Sequence, residues 1–117
     1  AEQLGSKARL LLCGQQLGAA KAALQARLVR EPDSLEALEV AADIYQECGD
    51  LAAAERHARR YVDVARRKGD IGDLRYALYT LADILLDRGK LDAATEVDYE
   101  ADSLHLLKKI KLKTTSS

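Results

Sequence analysis

Apolar residues recur along the chain at helical spacing. Leu38, Ala41, Ala42 and Tyr45 stand at i, i+3, i+4 and i+7, and past Gly49 the series resumes with Leu51, Ala54, Ala58, Tyr61, Val62 and Ala65, as expected for one buried stripe on each of two helices. Gly49 and Gly89 sit where a first helix must stop, because glycine enters the left-handed conformation that ends helices without the penalty a Cβ brings. Asp50 is then placed to cap the helix that follows. Upstream, Pro32 closes a helix, and Asp33 with Glu36 three positions later reads as a capping pair. The pattern predicts helices over about residues 3–13, 17–30, 34–48, 51–68, 72–88 and 91–112.

These helices repeat. The segments from Leu38 to His57 and from Leu78 to Val97 share Leu38/Leu78, Ala42/Ala82, Asp43/Asp83, Ile44/Ile84, Gly49/Gly89, Leu51/Leu91 and Ala54/Ala94 at an ungapped offset of 40. At an offset of 34, Leu4, Ala8, Leu11, Leu17 and Ala20 fall onto Leu38, Ala42, Tyr45, Leu51 and Ala54. Three hairpin units are expected, over about residues 1–34, 35–74 and 75–112, in a single domain of residues 1–113 with a disordered tail at 114–117. The small residues Ala42, Ala54, Ala82 and Ala94 let paired backbones approach closely.

Composition narrows the class to all-α. The 117 residues include one Pro, seven Gly and no Phe, Trp or Met, with 48% hydrophobic and 32% charged residues, and the abundant Ala, Leu, Glu, Arg and Lys lose least on entering a helix. No apolar run approaches the ~18–20 residues of a membrane span. The absence of an initiator Met and of a signal-peptide core suggests a processed or excised segment.

Leu38, Ala42, Tyr45, Gly49, Ala54 and Pro32 stand at the positions of the tetratricopeptide repeat, whose pattern is an apolar residue, a small residue, an aromatic, Gly and Ala with Pro near the end. The chain resembles three such repeats over nearly all of residues 1–112, departing at Gln15, where the inter-helix Gly is replaced, and at Ala58 and Asp98, where a large aromatic is common. The 40-residue step resembles the lengthened repeats of kinesin light chains and of the Leu-Gly-Asn-type polarity adaptors. The resemblance implies a right-handed superhelical stack of hairpins, an α-solenoid, that binds a peptide in the concave groove lined by the first helix of each unit. It also excludes a chaperone carboxylate clamp, which needs Lys, Asn and Arg in that groove.

In this register the groove is acidic with an aromatic end. Glu36, Glu39, Asp43 and Glu47 form a stripe at i, i+3, i+7 and i+11, and Tyr76, Tyr79, Asp83 and Asp87 repeat it in the next unit. Like charges at i, i+4, as in Asp43 with Glu47 and Asp83 with Asp87, repel. A basic or amine-bearing partner relieves that repulsion, and Tyr76 and Tyr79 are the natural anchors for binding energy. The second helix of the middle unit carries Arg56, Arg59, Arg60, Arg66, Arg67 and Lys68. The last thirteen residues hold Lys108, Lys109, Lys111 and Lys113 and no acid, so with a net charge of −1 the rest of the chain sums to −5. That overall balance, with no aromatics among the lysines, argues against nucleic acid as the partner.

No catalytic motif is present: no Gly-rich phosphate loop, no GxSxG and no HExxH. His57 and His105 lack a second ligand at i+3 or i+4, so neither a metal nor another cofactor is expected. Cys13 and Cys48 carry no CxxC spacing and are expected as buried thiols of a cytoplasmic or other reducing compartment rather than as a disulfide. Leu10, Leu11 and Leu12 point in three directions from the first helix, more than one neighbouring hairpin covers. The expected function is therefore a non-enzymatic adaptor or scaffold module that binds another protein in its acidic groove. The alternative is an assembly unit, self-associating through Leu10–Leu12 or belonging to a longer array of repeats.

Overall fold

The computed structural model describes residues 18–115, with backbone alone for Lys108 and residues 111–115. These residues form helices α1 (residues 18–30), α2 (Leu35–Glu47), α3 (Leu51–Lys68), α4 (Ile71–Asp87) and α5 (Leu91–Thr115), with no strand among them. The apolar periodicity located α1 to α4 to within a residue at each end. At the far end α5 runs to Thr115, beyond the predicted stop at 112 and into the segment expected as a disordered tail, since no Gly or Pro interrupts the sequence after Leu91. The helix expected at 3–13, with Leu10, Leu11, Leu12 and Cys13, lies outside the described residues.

The helix ends follow local chemistry. Ser34, not Asp33, caps α2: its Oγ accepts from the Ala37 backbone N–H at 3.2 Å, the geometry an N-cap requires. Asp33 is instead left outside the helix, where its carboxylate meets Arg60 and Arg67. Asp50 caps α3 through the Ala53 N–H at 3.2 Å, and Asp70 caps α4 through the Asp73 N–H at 2.9 Å. Gly49, Gly69 and Gly89 follow α2, α3 and α4 with φ of 85°, 80° and 76°, the left-handed region in which a side chain is strained.

Each helix from α2 onward packs on the next, and α2 also touches α4 across the intervening α3. Leu38, Leu78, Ile84 and Leu85 are fully buried, each worth about 1.5–3 kcal/mol relative to exposure. The space between helices is set by alanines: Ala41, Ala42, Ala54, Ala58 and Ala65 are completely inaccessible to solvent, and a larger residue at any of them would push two backbones apart. Tyr45 and Tyr61 complete the core, and the Tyr45 ring stacks on His57 with centroids 5.1 Å apart. His57 Nδ1 lies 2.7 Å from the Ala53 carbonyl oxygen, so that nitrogen carries the proton and donates it.

Candidate functional site

The contact of α2 with α4 brings together most of the residues singled out from the sequence. Asp43 and Gln46 from α2 face Tyr76, Tyr79, Thr80 and Asp83 from α4 across an open depression of about 410 Å³. Gln46 ties the walls: its Nε2 donates to Asp83 Oδ2 at 2.8 Å and to Asp87 Oδ2 at 3.0 Å. One amide group thus holds two like-charged carboxylates one helical turn apart, offsetting part of the repulsion the i, i+4 spacing imposes. No comparable donor serves Asp43, whose carboxyl is pushed up from the ordinary carboxylate range by desolvation and by the neighbouring charges of Glu39 and Glu47.

The two tyrosines are on the surface rather than in the core, Tyr76 53% and Tyr79 38% exposed. Both hydroxyls are pushed up by acids: Tyr76 by the charge of Glu39 above all, Tyr79 by the hydrogen bond it donates to Asp102 Oδ1 at 2.6 Å. Tyr79 lies where three depressions meet. Besides the trough against α2, one is shared with Leu86, Ala94, Thr95 and Asp98, and another with Gly72, Arg75 and His105.

Glu36 is set apart from the other predicted site residues. Its carboxylate meets Arg27 of α1 at 3.4 Å, which directs that end of the acidic stripe toward α1. Asp43, Tyr76, Tyr79 and Asp83 line the trough, Asp87 borders it through Gln46, and Glu39 and Glu47 act on it through their charge.

The sequence reading passed over the contribution of α5. Asp98 and Asp102 extend the acidic surface past α4, and the Arg75 guanidinium meets the His105 ring beside them. It also passed over Glu55, which is buried and accepts from Arg59 Nε, Arg88 Nη1 and Lys90 Nζ, each at 2.9 Å. The hydrogen bond from Lys90, with those from Arg59 and Arg88, outweighs burial and holds this carboxyl down at about 2. The signal available in the sequence was the i, i+4 spacing of Glu55 and Arg59; Arg88 and Lys90 lie far along the chain, on either side of Gly89.

The arginine-rich face of α3 is largely paired within the molecule. Arg66 meets Glu100 at 3.0 Å, Arg67 meets Asp33 at 3.3 Å, Arg60 meets Asp33 at 3.6 Å, and Lys68 donates to the Asp33 carbonyl at 3.2 Å. Such half-exposed pairs contribute little each, but they leave few donors on this face directed at solvent. Among the described residues no three His, Cys, Asp or Glu side chains converge as a metal site, and no helix is long and apolar enough to cross a membrane. Cys48 is half-buried at the end of α2. Comparison with protein-family models, with characterised proteins and with solved structures gave no match to this chain.

Proposed function

We propose that the chain is a non-enzymatic protein-binding module in which the trough between α2 and α4 holds an extended segment of another protein rich in Lys or Arg. The observation that carries this reading is the convergence of Asp43, Asp83 and Asp87 with two exposed tyrosines in one open trough, where Asp43 has no cation of its own and its carboxyl is raised. A lysine or arginine of a bound segment supplies the missing charge, and the tyrosine rings supply contact area with little rotamer entropy to lose. The contact of α2 with α4 agrees with a stack in which first helices line a common face, as the resemblance to tetratricopeptide repeats implies, and a right-handed superhelix is the proposed architecture. The trough is open and holds no buried acid–base pair, which favours binding over chemistry.

The test is fluorescence anisotropy of a labelled peptide of alternating Lys and Ala, titrated with the full chain at low and at near-physiological ionic strength. Binding is expected to weaken at least tenfold across that range and to be lost in Asp43→Lys/Asp83→Lys. Affinity indifferent to both changes sinks the proposal.

A further inference from the structure

α5 carries apolar residues on two opposite sides. Ala94, Val97, Ala101 and Leu104, at i, i+3, i+7 and i+10, face the core. Tyr99, Leu106 and Ile110 lie on the far side and are 75%, 59% and 54% exposed, with Leu107 beside them at 44%. With Ser103 the far side reads Tyr99, Ser103, Leu106, Ile110. This spacing of four, three and four is the seam of a two-stranded coiled coil, so the exposed residues stand at a and d positions. Nothing in the hairpin itself calls for a second apolar face on this helix.

Charge along α5 indicates what covers it. Residues 91–102 contain Asp92, Glu96, Asp98, Glu100 and Asp102 and no base, whereas residues 103–115 contain Lys108, Lys109, Lys111 and Lys113 and no acid. An acidic first turn and a basic last turn complement a helix's own dipole, but that effect fades within one turn, and here the acids continue to Asp102. Such a division is self-complementary when two copies lie antiparallel: each acidic half then meets a lysine half, while a parallel pair sets like against like.

We infer that α5 is a homodimerisation surface, pairing antiparallel with the α5 of a second copy about a two-fold axis near Leu104 and His105. In this register Tyr99 packs against Ile110 of the second copy and Ser103 against its Leu106, and the flanking Asp102 lies beside its Lys109. The interface is isologous and closes at two chains. It uses the outward side of α5 and does not rest on the groove reading.

Sedimentation velocity of the full chain over a range of concentration tests the pairing, with circular dichroism confirming that each variant is folded. The expected results are a monomer–dimer equilibrium, its loss in Tyr99→Glu/Leu106→Glu, and at least tenfold tightening in Ser103→Leu, which fills the one polar seam position. Lys109→Asp is expected to weaken the dimer, and Asp102→Lys/Lys109→Asp to restore it. These two positions are seven residues apart on one helix and too distant to compensate within a chain, so restoration reports contact between copies. A chain that stays monomeric even as Ser103→Leu overturns the inference, as does a dimer that survives Tyr99→Glu/Leu106→Glu or a charge exchange that fails to restore association.

Discussion

The α2–α3 and α4–α5 hairpins are two versions of one sequence at an offset of 40, and their inner halves match closely. Ala37, Leu38, Ala41, Ala42 and Tyr45 correspond to Ala77, Leu78, Leu81, Ala82 and Leu85, and all ten are buried. Their second helices part company on the outer face. With α4 packed on α3, Glu55, Ala58, Val62 and Ala65 are buried, while their counterparts on α5, Thr95, Asp98, Asp102 and His105, are all exposed. One template has thus been fitted to two surroundings. Where a helix follows, the face is small and apolar with one neutralised acid; where the described stack presents its side to solvent, the same positions are polar. A further hairpin seated on α5 as α4 sits on α3 would bury Asp98 and Asp102 without partners, at a cost of several kcal/mol. The apolar residues α5 does expose lie in another direction, along the Tyr99–Ile110 seam.

The sharpest way to break this comparison is to enlarge the matching alanines. Ala54→Leu adds three carbons where α2, α3 and α4 all converge and is expected to destabilise by about 3 kcal/mol. Ala94 is equally buried but borders the open depression beside Leu86 and Asp98, into which a leucine extends, so Ala94→Leu is expected to cost less than about 1 kcal/mol. Thermal melts followed by circular dichroism separate the two, and equal losses would show that the halves are packed alike.

Glu55 and Thr95 form the next pair. Glu55→Gln removes the charge that Arg59, Arg88 and Lys90 surround, and a loss of about 2 kcal/mol is expected, below the ~3–5 of a fully buried pair because the cations stay partly hydrated. Thr95→Ala is expected to change stability by less than about 0.5 kcal/mol. The Glu55 carboxyl is lowered on folding, so its stabilising share is complete above the ordinary carboxylate range and disappears as pH falls through about 2. Denaturant melts from pH 5 downward should therefore show a shallower decline in Glu55→Gln than in the natural chain.

The smallest effect belongs to the trough, where Asp43 and Asp83 are counterparts. The Asp43 carboxyl is raised on folding, so its ionisation opposes folding as pH rises through that raised value. Asp43→Asn is expected to stabilise by a few tenths of a kcal/mol at pH 7, the scale of one relieved like-charge pair. Asp83→Asn is expected to bring no gain, because Asp83 already accepts from Gln46. Urea melts at pH 7 and pH 4 check both, and the advantage of Asp43→Asn should shrink at the lower pH.

The helices were legible because each is bracketed by a signal that acts locally: an apolar stripe, a glycine that can turn left-handed, a short polar cap. Asp33 shows the limit of such reading. Ser34 beside it is as good a cap, and the choice was settled by Arg60 and Arg67, roughly thirty positions away. The site divides in the same way. The acids and tyrosines of α2 and α4 were visible from their spacing, because one helix's face is a local property. Glu36 left the group through an arginine on α1, Asp98 and Asp102 joined through α5, and Glu55 gained Arg88 and Lys90 from the next turn but one. Each of those depends on where a distant helix lands, which a single sequence with alanine-rich contacts specifies only through the whole packing.

The left-handed glycines at 49, 69 and 89 are spaced by 20 and 20 residues, so helix plus turn has a constant length in this part of the chain. A cut of 40 residues therefore excises whole parts. Residues 51–90 hold α3, α4, the caps of the helix junctions that follow each, and both sides of the Glu55 cluster, since Arg59, Arg88 and Lys90 all fall within them. Copied in tandem, that stretch brings its own counter-ions and alternates inner and outer helices in phase, whereas a copy of 20 residues would exchange the two roles. In the language of gene duplication, the heritable unit here is not the hairpin as it is drawn but the block that starts at its second helix.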